Sequence, residues 1–161
     1  SMKKLLLLFA GVSLLVATGC NNDNDNVREA PLVGLWQPLK EVVTTVETGE
    51  QPISDQITYT DCQKLSRWWF STETNGKKID VTEPTTAGGT CNILPDKNFT
   101  YTYEKGAKTV IMKFQGIVEP VSAKVVTLND TTLNLAVREE TQDPTVFKTR
   151  TYTFTRVNPQ K

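Results

Sequence analysis

From Pro31 to Pro159, apolar and polar side chains alternate with period two, and turn residues interrupt the alternation at short intervals. Val110, Met112 and Phe114 alternate with Thr109, Ile111, Lys113 and Gln115. Phe99, Tyr101 and Tyr103 alternate with Thr100, Thr102 and Glu104, and Leu133, Leu135 and Val137 with Asn134, Ala136 and Arg138. Such spacing puts each apolar set on one face of a pleated strand. It predicts eight or nine strands, at residues 33–46, 56–60, 67–72, 78–82, 98–104, 108–118, 121–128, 132–138 and 146–157. Asn75-Gly76 suits a two-residue hairpin turn, and Lys105-Gly106, Glu119-Pro120 and Asn129-Asp130 mark further reversals. No long helical periodicity follows residue 20. The expected fold is all-β: an antiparallel up-and-down barrel of about eight strands, because closure removes exposed sheet edges.

Ahead of the strands, Lys3 and Lys4 precede an apolar run from Leu5 to Val16, which ends in Ala17-Thr18-Gly19-Cys20. About a dozen residues at roughly 1.5 Å each fall short of a hydrocarbon core about 30 Å thick. The run therefore reads as a removable targeting segment. The residues before Cys20 resemble a bacterial lipobox, with Ala17 where leucine is commonest. That resemblance implies cleavage after Gly19 and an acylated Cys20 in membrane lipid; ordinary secretory cleavage and a retained apolar anchor are the alternatives. Asn21 to Asn26 offer no apolar side chain and read as a solvated tether. Asn21 is not Asp, so the inner-membrane retention signal is missing and the outer membrane is favoured, with surface exposure left open. The chain thus divides into a signal peptide at 1–19, lipidated Cys20 and tether at 20–31, a barrel domain at 32–157 and a tail at 158–161.

Charge and cysteine usage narrow the function. The 18 basic and 18 acidic residues become 16 and 18 once residues 1–19 are removed, a net charge of −2 with no basic run. That leaves no electrostatic footprint for nucleic acid. With Cys20 spent on lipid, Cys62 and Cys91 remain as an even pair in an oxidising compartment, which predicts a disulfide. The chain has no histidine, which removes the commonest general base and metal ligand and excludes Ser-His-Asp and Cys-His catalysis. No catalytic residues, metal site or cofactor are assigned, and a non-enzymatic protein is expected.

Several ordered features resemble a family. Gly34-Leu35-Trp36 opens the domain, followed by Cys62, Trp69-Phe70, Asn75-Gly76 and Cys91, and the chain closes on Arg150-Thr151-Tyr152-Thr153-Phe154-Thr155-Arg156. This pattern is similar to the lipocalin-like lipoproteins of Bacteroidetes over residues 32 to 157. By that resemblance Trp36 plugs one barrel end, covered by Arg150 or Arg156. The second and third lipocalin motifs are not convincingly present. The strand aromatics and Met112 suggest a binding lining of Trp68, Phe70, Tyr101, Tyr103, Met112 and Phe114, since a barrel this size either fills with side chains or holds one small ligand. Trp69 points the other way from its neighbours. The expected function is non-covalent binding of a small apolar or amphipathic ligand in the barrel mouth. The alternative is an accessory or interaction subunit of an outer-membrane protein complex.

Overall fold

A computed structural model describes residues 29–158. The signal peptide, Cys20 and most of the tether lie outside the described residues, as do residues 159–161. Eleven strands follow in order: β1 (Gly34–Glu47), β2 (Ile53–Thr58), β3 (Arg67–Phe70), β4 (Asn75–Ile79), β5 (Val81–Thr82), β6 (Asn92–Ile93), β7 (Lys97–Glu104), β8 (Thr109–Phe114), β9 (Val121–Leu128), β10 (Thr132–Glu139) and β11 (Val146–Val157). A 3-10 turn, Gln63–Leu65, precedes β3.

Eight of these strands form a closed antiparallel barrel in the order β1, β3, β4, β7, β8, β9, β10, β11. Closure comes from β11 pairing back onto β1, from Leu35 opposite Val157 to Glu47 opposite Val146. Along its other edge β1 has two partners laid end to end. β3 pairs with Gly34–Trp36, and β2 with Lys40–Thr45. β5 and β6 form a separate two-stranded pair, Val81 opposite Ile93 and Thr82 opposite Asn92.

Period-two patterning places Trp36, Phe70, Val110, Met112, Leu133, Leu135 and Phe154 inside, all without exposed surface. The rings interlock edge to face, Phe70 against Tyr101 at 4.9 Å and Trp68 against Phe154 at 5.1 Å between centroids. Such close-packed aromatic contacts add to the free energy of simple burial.

Three features depart from the local reading. Asn75-Gly76 is not a turn but the start of β4; the reversal is Ser71–Thr74, where the Asn75 carbonyl accepts the N–H groups of Ser71 and Thr72. Gly76 sits opposite Phe99, and a Cβ there would lie 2.2 Å from the Phe99 ring, so packing rather than turn geometry requires glycine. β8 stops at Phe114 instead of reaching 118, because Gly116 takes φ +82° and the chain turns out, leaving Ile117 and Val118 exposed. Finally, β1 carries a bulge. Pro38 faces Phe154 while Lys40 faces Thr153, so Leu39 is an extra residue. A proline inside a strand is tolerated at such an irregularity, and the bulge reverses which later side chains face inward.

Candidate functional site

The two barrel ends differ in chemistry. At one end Trp36 donates its indole N–H to the Leu32 carbonyl at 2.9 Å, and the Arg156 guanidinium lies over its ring at 4.1 Å. Arg156 also donates to the carbonyls of Pro31, Val33 and Asp130, and desolvation lowers its pKa. Its fork ties the entering chain at Pro31 and Val33 to the β9–β10 turn at Asp130, and this end is shut. Arg156 is therefore the plug partner of Trp36. Arg150 lies at the opposite end, six residues earlier on β11.

At that opposite end the bulge has turned Glu41 inward, opposite Tyr152. Glu41 accepts the Tyr59 hydroxyl on one carboxylate oxygen and Arg150 on the other, and Arg150 also donates to Glu139. Lys148 stands 3.7 Å from Glu139. The guanidinium holds the Glu139 carboxyl below its usual range, while its two acidic partners push Arg150 up. Burial, then the Glu41 hydrogen bond and charge, raises the Tyr59 phenol; burial, then Glu41, raises Tyr152. Both phenols therefore stay neutral hydroxyls, and Glu41 has both oxygens engaged. The arrangement holds the rim in shape and offers polar groups there.

This network borders a cleft of about 270 Å³. Trp68 and Tyr152, 5.7 Å apart, give it an aromatic wall together with Pro38, Val81 and Leu94. Glu41, Tyr59, Lys78 and Asp80 supply polar groups, with Lys78 Nζ 4.8 Å above the Trp68 ring and 3.6 Å from Asp80. The outer wall is the stretch from Tyr59 to Ser66. Tyr59 N–H donates to the bulge carbonyl of Leu39 at 3.0 Å, and the Ser66 hydroxyl accepts the Val81 N–H at 2.9 Å. The Cys62–Cys91 disulfide, with Cα atoms 5.5 Å apart, ties this wall to the loop that leads into β6.

The sequence matches the lipocalin-like domain over residues 32–135, well over half of the chain. The chain belongs to the lipocalin-like domain family. Among solved structures, this lipocalin-like barrel is similar to lobster apocrustacyanin A1 and to apocrustacyanin C2, each with a TM-score of 0.47, 11% identity, and coverage of 80% of this chain and 62% of theirs. A deswapped triple mutant of bovine odorant-binding protein gives a TM-score of 0.37 at 11% identity, covering 80% of this chain and 75% of that one. The chain thus spans 62% of the length of the first two structures. No curated protein matches the sequence.

The six aromatic and methionine side chains singled out as a ligand lining do not share one site. Phe70 and Met112 are wholly buried in the packed interior. Tyr101 is buried too, with its hydroxyl donating to the Thr72 carbonyl at 2.5 Å. Tyr103 lies near the shut end, its hydroxyl 2.9 Å from Glu29, and Phe114 packs on Phe99 at 5.2 Å. Trp68 alone of the six lines the mouth cleft. Trp69 is 44% exposed on the outer wall, beside a shallow groove floored by Gly76 and Phe99. Missed by patterning were Glu41, Tyr59, Lys78 and Asp80, while Tyr152, one of the strand aromatics, does line the cleft. Pro38 inside an otherwise regular strand is the one local sign that Glu41 faces inward. Among the described residues, no group of three His, Cys, Asp or Glu side chains could hold a metal ion.

Proposed function

We propose that this protein is a lipid-anchored lipoprotein of the bacterial outer membrane whose barrel mouth binds one small amphipathic molecule without covalent chemistry. The observation that carries the reading is the mouth cleft, where the aromatic wall of Trp68 and Tyr152 meets the polar groups of Glu41, Lys78 and Asp80. Ligand sites are concave and mostly apolar, with a few placed polar groups, and commonly run from about 300 Å³ upward. A cleft of about 270 Å³ suits a correspondingly small ligand. Its apolar part would lie on the two rings at roughly 25 cal/mol per Å² buried, before the costs of association. Its polar part would meet the Tyr59 hydroxyl and the Lys78–Asp80 pair. The interior below is filled by Phe154, Leu133 and Leu135, so the ligand rests in the mouth and not deep in the barrel.

The anchor rests on the lipobox and on acylation of Cys20. Arg156 holds Pro31 and Val33 at the shut end, the end that this anchor would join.

Native mass spectrometry of protein purified from its own envelope tests the binding reading. A single small adduct is expected, lost in Thr82→Trp, which fills the cleft from its rim. A protein always at its unliganded mass overturns the reading. For the anchor, Cys20→Ser is expected to move the protein from the membrane pellet to the soluble fraction, and a variant still in the pellet refutes acylation.

A further inference from the structure

Closure pairs every barrel strand on both sides, yet β2 has one neighbour only. It pairs with β1 without a break from Ile53 opposite Thr45 to Thr58 opposite Lys40, and among the described residues its other edge is free. All six of its residues are exposed. In an antiparallel strand alternate residues turn their N–H and C=O groups to one side, so the outer edge presents unpaired backbone donors and acceptors. Proteins usually guard such edges with lysine, proline, a bulge or a covering segment. Pro52 precedes β2, but within the strand there is no lysine, proline or bulge.

The side chains on β2 are sorted by face. Ile53, Asp55 and Ile57 lie opposite Thr45, Val43 and Glu41, on the surface continuous with the barrel mouth. Ser54, Gln56 and Thr58 occupy the other face. Ile53 is 65% exposed and Ile57 45%, two branched apolar side chains four residues apart with a carboxylate between them. Among the described residues Asp55 has no ion-pair partner. Arg150, two strands away in the same register, is already bonded to Glu41 and Glu139.

We infer that the free edge of β2 receives an extended segment of a partner protein, with apolar side chains beside Ile53 and Ile57 and a lysine or arginine beside Asp55. Backbone hydrogen bonds give strand addition its affinity, and alternate side chains give it specificity. The three side chains on this face translate into a partner pattern of apolar, any, basic, any, apolar. A second copy of this chain is the poorer occupant. Two-fold pairing of β2 with itself that brings Ile53 against Ile57 also brings Asp55 against Asp55, and like charges directly opposite are destabilising. Sliding by two residues relieves that clash only by setting isoleucine against aspartate. Asp55 is thus both the guard against self-pairing and the selector of a basic partner. No β2 side chain lines the mouth cleft, so the inference stands whether or not that cleft binds a ligand.

The test uses the full domain, isotopically labelled, with two blocked heptapeptides: Thr-Val-Thr-Lys-Thr-Val-Thr and the same peptide with Glu in place of Lys. The lysine peptide is expected to shift the backbone amide signals of residues 53–58, and the glutamate peptide to bind roughly fivefold more weakly. Asp55→Lys is expected to reverse that order while keeping the parental melting temperature. The paired peptides on the parent decide the matter even where that variant does not fold. Equal affinity for the two peptides overturns the inference, as does no shift with either. A concentration-dependent dimer of the unliganded protein that Ile57→Lys abolishes also overturns it, in favour of self-pairing.

Discussion

Arg156 and Arg150 leave the same face of the same strand, six residues apart, and do opposite things. Arg156 is stacked on Trp36 and spends its hydrogen bonds on three backbone carbonyls. Those partners are backbone carbonyls that do not titrate: Pro31 and Val33 belong to the chain that enters the barrel, and Asp130 to the turn between β9 and β10. Arg150 is held between two carboxylates, Glu41 and Glu139, with Tyr59 bound to the first. Those groups sit on a rim, partly exposed, and their interactions depend on pH and on what approaches. One end is a staple and the other an open, charged rim. The planar, always-charged guanidinium serves both because its fork suits backbone oxygens and carboxylates alike.

The largest expected effect is at the staple. Trp36→Ala removes a ring with no exposed surface and should cost about 3–5 kcal/mol in denaturant unfolding. A loss under 1 kcal/mol would show that the shut end does not hold the fold. Next comes the wall of the open end. Cys62→Ser opens a 29-residue separation and should cost roughly 3–4 kcal/mol on chain-entropy grounds. Because the disulfide ties down the mouth wall, amide exchange should speed up most at residues 59–66. Uniform acceleration across the barrel would break the distinction between the ends.

Alkaline titration sharpens the comparison. All four tyrosines are raised above 10.0, Tyr103 to about 12 through burial and its bond to Glu29. Above pH 10 the unfolded chain releases phenolic protons that the native state retains, so stability falls as pH rises. Absorbance of ionised phenol should then appear together with loss of the native fold, and ionisation well before unfolding would contradict the buried hydroxyls. The smallest effect is Glu139→Gln on the rim. The native pKa of Glu139 is depressed below 4.5, so its stabilisation is present above that pH and is lost as pH falls through the native value. At neutral pH the variant should be less stable by up to about 1 kcal/mol, as for a partly exposed pair. Thermal melts across pH 3–7 should show the gap closing in acid, and a gap independent of pH would remove the ion pair as its cause.

Much of this architecture is visible locally. The alternation of Phe99, Tyr101 and Tyr103, and of Val110 and Met112, marks β7 and β8 because a strand's side-chain period is two regardless of what it pairs with. Turn chemistry behaved less simply. Asn129 does cap a reversal, its side-chain oxygen accepting the N–H groups of Thr131 and Thr132. Gly76 misled, because glycine serves tight packing as well as turns and only the partner strand distinguishes them. The site was harder to read than the fold. Phe70 and Met112 have the chemistry of a lining but sit where the barrel is full, whereas Glu41 and Tyr59 look like ordinary surface residues until Leu39 is seen to bulge.

From composition and order alone follow a β-rich chain, a pair of cysteines, Cys62 and Cys91, within it, and a tryptophan on the opening strand. These depend on neighbours a few residues apart or on simple parity. Tertiary structure decided which arginine meets Trp36, which way Glu41 points, and that among the described residues β2 is left with an open side. Each of those outcomes is set by the pairing of β1 with β11 and β2, between segments as much as 122 positions apart, as in Leu35 opposite Val157. A one-residue slip in such a pairing exchanges the inner and outer faces of everything beyond it, and no local pattern records where that slip occurs.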